Sequence, residues 1–291
     1  MTVYKGRVLT LRCGDFSETS QVVSLLSREA GCVRCLAKGS KRPRNPFGGP
    51  LDRWTLGQAV WSLRDPNRLG TLMELYEQER FDGLRANLPA FFGASGVTEM
   101  ILALVPEVEP QPEAFDLAVE TFRHLAESHP AATQAITFAF AWRLVAVLGY
   151  GGDLAHCAGC GAALAMDTED GIRNAEYGKP DAPRPPPGPE AAGPPRPDPG
   201  APFRIPNSEF RVSYLFSGAL GGLLCPACRA PDPTVRLTLK AVRAARFLAT
   251  MPWDEVRRVR LARATADAMR QALRSRIAEL AGQQLLAVQY V

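Results

Sequence analysis

Val3-Tyr4-Lys5-Gly6-Arg7-Val8-Leu9-Thr10-Leu11, then Gln21-Val22-Val23-Ser24-Leu25-Leu26-Ser27 and Cys32-Val33-Arg34-Cys35-Leu36-Ala37, is the stretch whose reading decides the fold. Apolar and polar positions partly alternate in Val3, Leu9, Leu11 and in Val22, Leu25, and the turn string Arg12-Cys13-Gly14-Asp15 separates the first two runs, the mark of short strands joined by tight connections. Leu56–Leu63 and Gly70–Glu77 add two more runs. Five short strands within residues 1–78 predict a compact five-stranded β-barrel. The OB-fold is the commonest oligonucleotide-binding barrel of this size; an SH3-like barrel or a half-sandwich has the same strand count.

Beyond this segment the period changes to that of helices. Phe81, Leu84 and Leu88, then Met100–Val105, Ala114–Ala126 and Thr133–Leu148 repeat at three- and four-residue spacing, and Pro106, Pro110, Pro112 and Pro130 mark the breaks. Residues 79–150 are therefore expected to be the first part of a helical domain. Ala135–Leu148 is apolar for 14 residues, interrupted by Thr137 and Arg143, too short for a membrane span of about 20 residues; it reads as a buried core helix. The helical period returns over 234–291, with Leu237, Ala241, Ala244 and Leu248 in one stripe and Ala262, Ala266, Met269, Leu273, Ile277 and Leu280 in another. The expected class is α+β.

Between the helical parts, residues 151–233 hold the strongest chemical signal, Cys157-Ala-Gly-Cys160 followed by Cys225-Pro-Ala-Cys228. Two residues between cysteines let both thiolates of a pair turn toward one ion, and two such pairs complete a tetrahedral structural zinc site. The intervening stretch is interrupted by 11 prolines over 179–202, a composition that cannot bury enough surface to offset its ordering entropy and is read as a disordered loop. Loop-closure cost grows only logarithmically with length, so the site tolerates the insertion. A site without metal and a dithiol redox motif at Cys225 and Cys228 are the alternatives. His156 reads as a neighbour of the site rather than a ligand. Cys32 and Cys35 lie on one strand, where positions three apart face opposite sides, so they cannot share an ion; Cys13 has no partner. The seven cysteines point to metal or redox chemistry rather than disulfides, because no apolar h-region opens the chain and a reducing cytoplasm is expected.

The 291 residues are 46% hydrophobic and 22% charged, with 25 Gly, 25 Pro and a net charge of +4. This is globular composition, and the net charge alone argues for no partner. Distribution matters more. Arg34, Lys38, Lys41, Arg42, Arg44 and Arg53 face only Asp52 over twenty residues, a basic loop suited to a phosphate backbone or, equally, a solvated loop. Phe47 and Trp54 flank it, placed either to stack on bases or, as is commoner, in the core. A second basic surface is offered by Arg263, Arg270 and Arg274 on one helical face, within a segment where Arg257, Arg258, Arg260 and Arg276 also occur and Asp267 is the single acid. A solvated helix face is the alternative. Three histidines, no H-E-x-x-H, no G-x-S-x-G and no phosphate loop followed by Lys-Ser/Thr leave no basis for catalysis. A nucleobase deaminase is excluded because His156 lacks the following x-Glu and Pro226 comes after its cysteine.

Lys5-Gly-Arg-Val-Leu, Glu18-Thr-Ser, Gly31 through Lys38-Gly39, Trp142-Arg-Leu, Leu148-Gly-Tyr before the first cysteine pair, and Phe216-Ser-Gly with Gly221-Gly-Leu-Leu-Cys-Pro-Ala-Cys at the second occur in an order that resembles the RecO family of bacterial recombination mediators. The resemblance runs end to end and is weakest over 80–130 and after 235. It implies an N-terminal OB barrel, a helical domain with an inserted four-cysteine zinc module, and a non-enzymatic DNA repair protein. Such a protein is expected to bind single- and double-stranded DNA, to anneal complementary strands and, with RecR, to help RecA displace the single-strand DNA-binding protein, whose acidic C-terminal tail it also recognises. Two features depart from the family pattern: the proline-rich insertion, and the cysteines themselves, which many relatives have lost. A zinc-ribbon nucleic-acid regulator built on residues 157–228 is the rival reading, and a dithiol redox enzyme the lesser one.

Overall fold

The computed structural model describes residues 2–65, 68–152, 154–164 and 213–282; the proline-rich stretch 179–202 lies outside them. Five strands, β1 (Thr2–Asp15), β2 (Gln21–Ser27), β3 (Gly31–Ala37), β4 (Thr55–Leu63) and β5 (Gly70–Arg80), close into a barrel in the order β1-β2-β3-β5-β4. β3 and β5 pair in parallel over Cys35–Ala37, and the other pairs are antiparallel. This is the OB-type barrel. Its first strand serves two neighbours: Thr2–Leu9 pairs with β4, while Val8–Asp15 pairs with β2. A register shift between Thr10 and Arg12 bends β1 between them, the usual work of a bulge.

Four consecutive residues, Val8 to Leu11, are buried, which explains why the alternation in the sequence is only partial. Val8 points into the barrel with Val23, Leu25, Val33, Cys35, Trp61 and Leu72. Leu9 and Leu11 point outward with Leu26, Cys32, Trp54 and Leu56 into a second core shared with the helices. Cys32 and Cys35 thus face opposite sides, as period 2 requires, and burial pushes both thiols up to about 12, leaving them unreactive. Phe47 and Trp54 are both core residues, 9% and 1% exposed, so neither is available to stack on a base.

Three long helices, α2 (Leu88–Leu104), α3 (Pro112–Glu127) and α4 (Thr133–Val147), follow the short α1 (Gly83–Ala86). Asn87 caps α2, its Oδ1 accepting from the Ala90 N–H at 2.8 Å, which satisfies one of the orphan donors of a helix start. α4 is the central element, buried from Ala135 to Trp142. The segment leaving α2 returns to the barrel: Cys32 N–H donates to Pro106 O at 3.1 Å and Val108 N–H to Cys32 O at 3.0 Å. It lies beside the half of β3 that β5 does not cover. Gly31 holds φ +63°, and a Cβ there would stand 2.1 Å from Glu109 O, so only glycine fits this crossing.

A three-stranded sheet of order β7-β6-β8 follows, from β6 (Ser213–Ser217), β7 (Gly222–Leu224) and β8 (Val235–Thr238). Three further helices follow among the described residues: α5 (Leu239–Thr250), α6 (Trp253–Val256) and α7 (Arg263–Ala281). The C-terminal stretch expected to be helical from residue 234 therefore starts with a strand. Leu237 belongs to β8, and Thr238 caps α5 by accepting from Ala241 N–H at 3.2 Å; the buried stripe of α5 is Ala241, Val242, Ala245 and Leu248. No helix among the described residues is long and apolar enough to cross a membrane.

Candidate metal centre and nucleic-acid interface

The sequence between α4 and β6 turns back on itself at the first cysteine pair. Cys157 N–H donates to Ala162 O and Gly161 N–H to Cys157 O, each at 2.8 Å, with Gly161 at φ +75°, a left-handed position that glycine adopts without penalty. The second pair leaves β7 in a matching turn, Cys228 N–H donating to Cys225 O at 3.1 Å. Ala158 N–H donates to Leu223 O at 2.7 Å and so lays one turn against the other. Across 64 intervening residues the four sulfurs of Cys157, Cys160, Cys225 and Cys228 come within 4.8 Å of one another, with Cys160 Sγ and Cys225 Sγ 3.7 Å apart.

That spacing fits a metal. Metal–sulfur bonds of about 2.3 Å in a tetrahedron place the sulfurs about 3.8 Å apart. Burial pushes the Cys157 thiol up, but N–H groups of Cys225, Gly159 and Cys160 directed at its sulfur outweigh this and bring it down to about 6. Cys225 N–H reaches that sulfur at 3.2 Å. Cys228, sharing hydrogen bonds with the sulfurs of Cys160, Cys225 and Cys157, is pushed up to about 12. Four sulfurs gathered this closely are the donor set that a thiophilic cation would hold. Cys225 and Cys228 lie in a turn ahead of β8, and no helix among the described residues starts at them to activate a dithiol. His156 is exposed and outside the sulfur cluster.

The predicted basic residues gather at one end of the barrel, but not as a loose loop. The segment after β3 is docked on the β1–β2 turn: Lys41 N–H donates to Thr19 O at 3.1 Å, Gly39 N–H to Ser20 Oγ at 3.1 Å, and Lys41 Nζ lies 2.5 Å from the Asp15 carboxylate. Gln21, nearly buried, accepts from Ser40 Oγ at 2.9 Å and Leu51 N–H at 2.8 Å and donates to Leu51 O at 3.0 Å. Lys38, Arg42 and Arg44 are exposed, whereas Lys41 is half-buried. Arg53 is exposed with its guanidinium 5.1 Å from the Trp54 ring and 5.0 Å from the Phe91 ring.

Arg34 stands on the outer face of β3. Its neighbour across the ladder is Ser24, and Ser24's next neighbour is Arg12. These three and Arg53 line a groove of about 700 Å³ whose acidic lining groups are Asp15 and Glu107. Arg12 was missed as a binding residue because a turn was expected there; the β1 bulge carries the strand through it to Asp15. Periodicity has no signal for a bulge.

The C-terminal arginines divide. Arg276 is buried, donating to Gly218 O at 2.9 Å, Ala219 O at 3.0 Å and Tyr150 O at 2.7 Å, so it is a structural residue and not part of a basic surface. Arg270 and Arg263 both lean on Asp267, while Arg258 pairs with Glu255 at 2.9 Å and Arg257 with Asp254 at 3.8 Å. Only Arg274 of the predicted trio is exposed without an ion pair among the described residues. With Asp254 and Glu255 included, seven arginines face three acids over residues 254–276.

The family described as Recombination protein O N terminal matches residues 1–77, and that described as Recombination protein O C terminal matches residues 85–171, together more than half of the chain. The chain belongs to the RecO family. It is 34% identical over 124 residues to the DNA repair protein RecO of Salinibacter ruber, covering 43% of this chain and 48% of that one. With the RecO of Syntrophobacter fumaroxidans it shares 31% over 169 residues, 58% of this chain and 66% of the relative. With that of Symbiobacterium thermophilum it shares 26% over 268 residues, 92% and 87%. The match thus spans about half to two thirds of the first two relatives. Membership in a RecO family of DNA repair proteins accords with the OB-type barrel, the helical region and the four-cysteine cluster that this chain displays.

Proposed function

We propose that the protein is a DNA-binding repair and recombination mediator. On this reading it binds single- and double-stranded DNA, anneals complementary strands, and with RecR assists RecA in displacing the single-strand DNA-binding protein, whose acidic C-terminal tail it also engages. The observation that carries the proposal is the ladder row Arg12–Ser24–Arg34, with Arg53 beside it, on the outer face of an OB-type barrel, next to the exposed Lys38, Arg42 and Arg44. Arginines fixed in a row present guanidinium forks to successive phosphates and position a strand without reading its bases. The four cysteines are proposed to hold zinc in a structural role, joining two turns separated by 64 residues of the chain. The protein works in the cytoplasm and performs no bond-making chemistry of its own.

The test is binding of single-stranded DNA titrated against salt. Each phosphate neutralised contributes a slope of about −0.7 in log affinity against log salt. A parent protein whose affinity does not change with salt would refute the proposal.

A further inference from the structure

The β1–β2 turn does more than anchor the basic segment. Phe16 opens it, 60% exposed, with a fixed backbone: Phe16 N–H and Ser17 N–H both donate to Ser20 O, at 3.0 and 3.2 Å. Its ring borders a pocket of about 290 Å³ whose exposed apolar wall is Leu69, with the buried Val33 and Leu63 of the barrel behind it, while Arg34, Arg68 and Glu107 also line it. Arg68 and Leu69 belong to the β4–β5 connection. Two barrel loops therefore meet around an exposed aromatic ring, beside the groove that holds Arg12, Arg34 and Arg53.

We propose that Phe16 and this pocket form a subsite for one unpaired nucleobase, which stacks on the ring while its flanking phosphates lie on Arg34 and Arg68. An exposed phenyl ring held by a closed turn offers a stacking face at little entropic cost, and every base has a face to offer it. Phe16 and the exposed Leu69 take the base; among the described residues Arg34 carries no ion pair and Arg68 pairs only with Asp65 at 3.6 Å, with its side chain 81% exposed. Tyr76 is more exposed still, at 78%, yet it stands on β5 among Glu74, Glu77 and Glu79, where a phosphate backbone is repelled. A base held in a duplex is stacked on its neighbours and cannot enter, so the subsite favours single strands.

The inference rests on the DNA-binding reading, and its test separates the two. Affinities of the full chain for a single-stranded oligonucleotide and a duplex are compared at one salt concentration for the parent, Phe16→Ala and Phe16→Trp. Phe16→Ala is expected to weaken single-strand binding about tenfold or more, with duplex affinity and the salt slope unchanged, and Phe16→Trp to restore it. A 2-aminopurine base in the oligonucleotide should be quenched by the parent and much less by Phe16→Ala. Single-strand affinity unchanged in Phe16→Ala, or single-strand and duplex affinity falling alike, overturns the base subsite while DNA binding stands. A parent that binds neither overturns the underlying reading.

Discussion

The indole N–H of Trp54 donates to Thr98 Oγ1 at 2.9 Å, and this bond crosses from the barrel to α2. Trp54 is held at φ +60°, its own N–H bonded to Thr10 O at 2.6 Å and its carbonyl accepting from Phe81 N–H at 3.3 Å. A bulky residue in this conformation persists only where its surroundings over-determine it. Thr98→Val keeps the volume but leaves a buried N–H without a partner, a cost of about 1–3 kcal/mol. Trp54→Ala adds a cavity and should cost about 3–5 kcal/mol. Urea unfolding should register both as a lower midpoint, and an unchanged midpoint in Trp54→Ala would mean that barrel and helices are not one cooperative unit.

The four-cysteine centre should contain one zinc per chain. Cys160→Ser is expected to abolish the stoichiometric metal and, at a cost of about 2 kcal/mol, lower the melting temperature by roughly 4–8 °C. Elemental analysis and thermal melts of both proteins check it; metal-free parent protein that melts like the variant would refute it.

Arg276 and Arg274 lie on one helix two residues apart and should behave oppositely. Arg276→Ala leaves Gly218 O, Ala219 O and Tyr150 O without their charged donor, an expected loss of about 3 kcal/mol. Arg274→Ala, on the exposed side, should change stability by less than about 0.5 kcal/mol. Denaturant midpoints of the two variants decide the matter.

The basic side chains should not be equivalent in DNA binding. Replacing Lys38, Arg42 and Arg44 together by Ala removes up to three phosphate contacts and should flatten the single-strand salt slope by about 2, and replacing Arg12, Arg34 and Arg53 should flatten it somewhat less, because Arg12 already faces Glu99 at 3.8 Å. Lys41→Ala should change the slope less, because its ammonium already faces Asp15. Equal slopes in parent and both triple variants, with binding lost on changing Arg263, Arg270 and Arg274, would move the interface to α7.

Much of this molecule is written in local pattern. The strands over Gln21–Ser27 and Gly31–Ala37 follow from β-branched and apolar residues bounded by turns, and the helices over 112–127 and 133–147 from their period and their prolines, because these signals act over a few neighbours. The two Cys-x-x-Cys pairs could be joined across a long insertion because thiolates at that spacing have few other uses.

What the sequence could not carry is anything that depends on which residues meet from afar. Phe47 and Trp54 look alike as aromatic candidates beside a basic loop until the fold buries both and leaves Phe16 outside. Arg276 looks like one more surface charge until three carbonyls from two other segments surround it, and Lys41 like a phosphate ligand until the β1–β2 turn brings Asp15 to it. Composition and spacing determined that this chain makes a barrel, helices and a cysteine cluster, since those rest on side-chain type and short-range periodicity. Burial, ion pairing and the row Arg12–Ser24–Arg34 were decided by tertiary structure, because each is a relation between strands or helices whose register no single segment encodes.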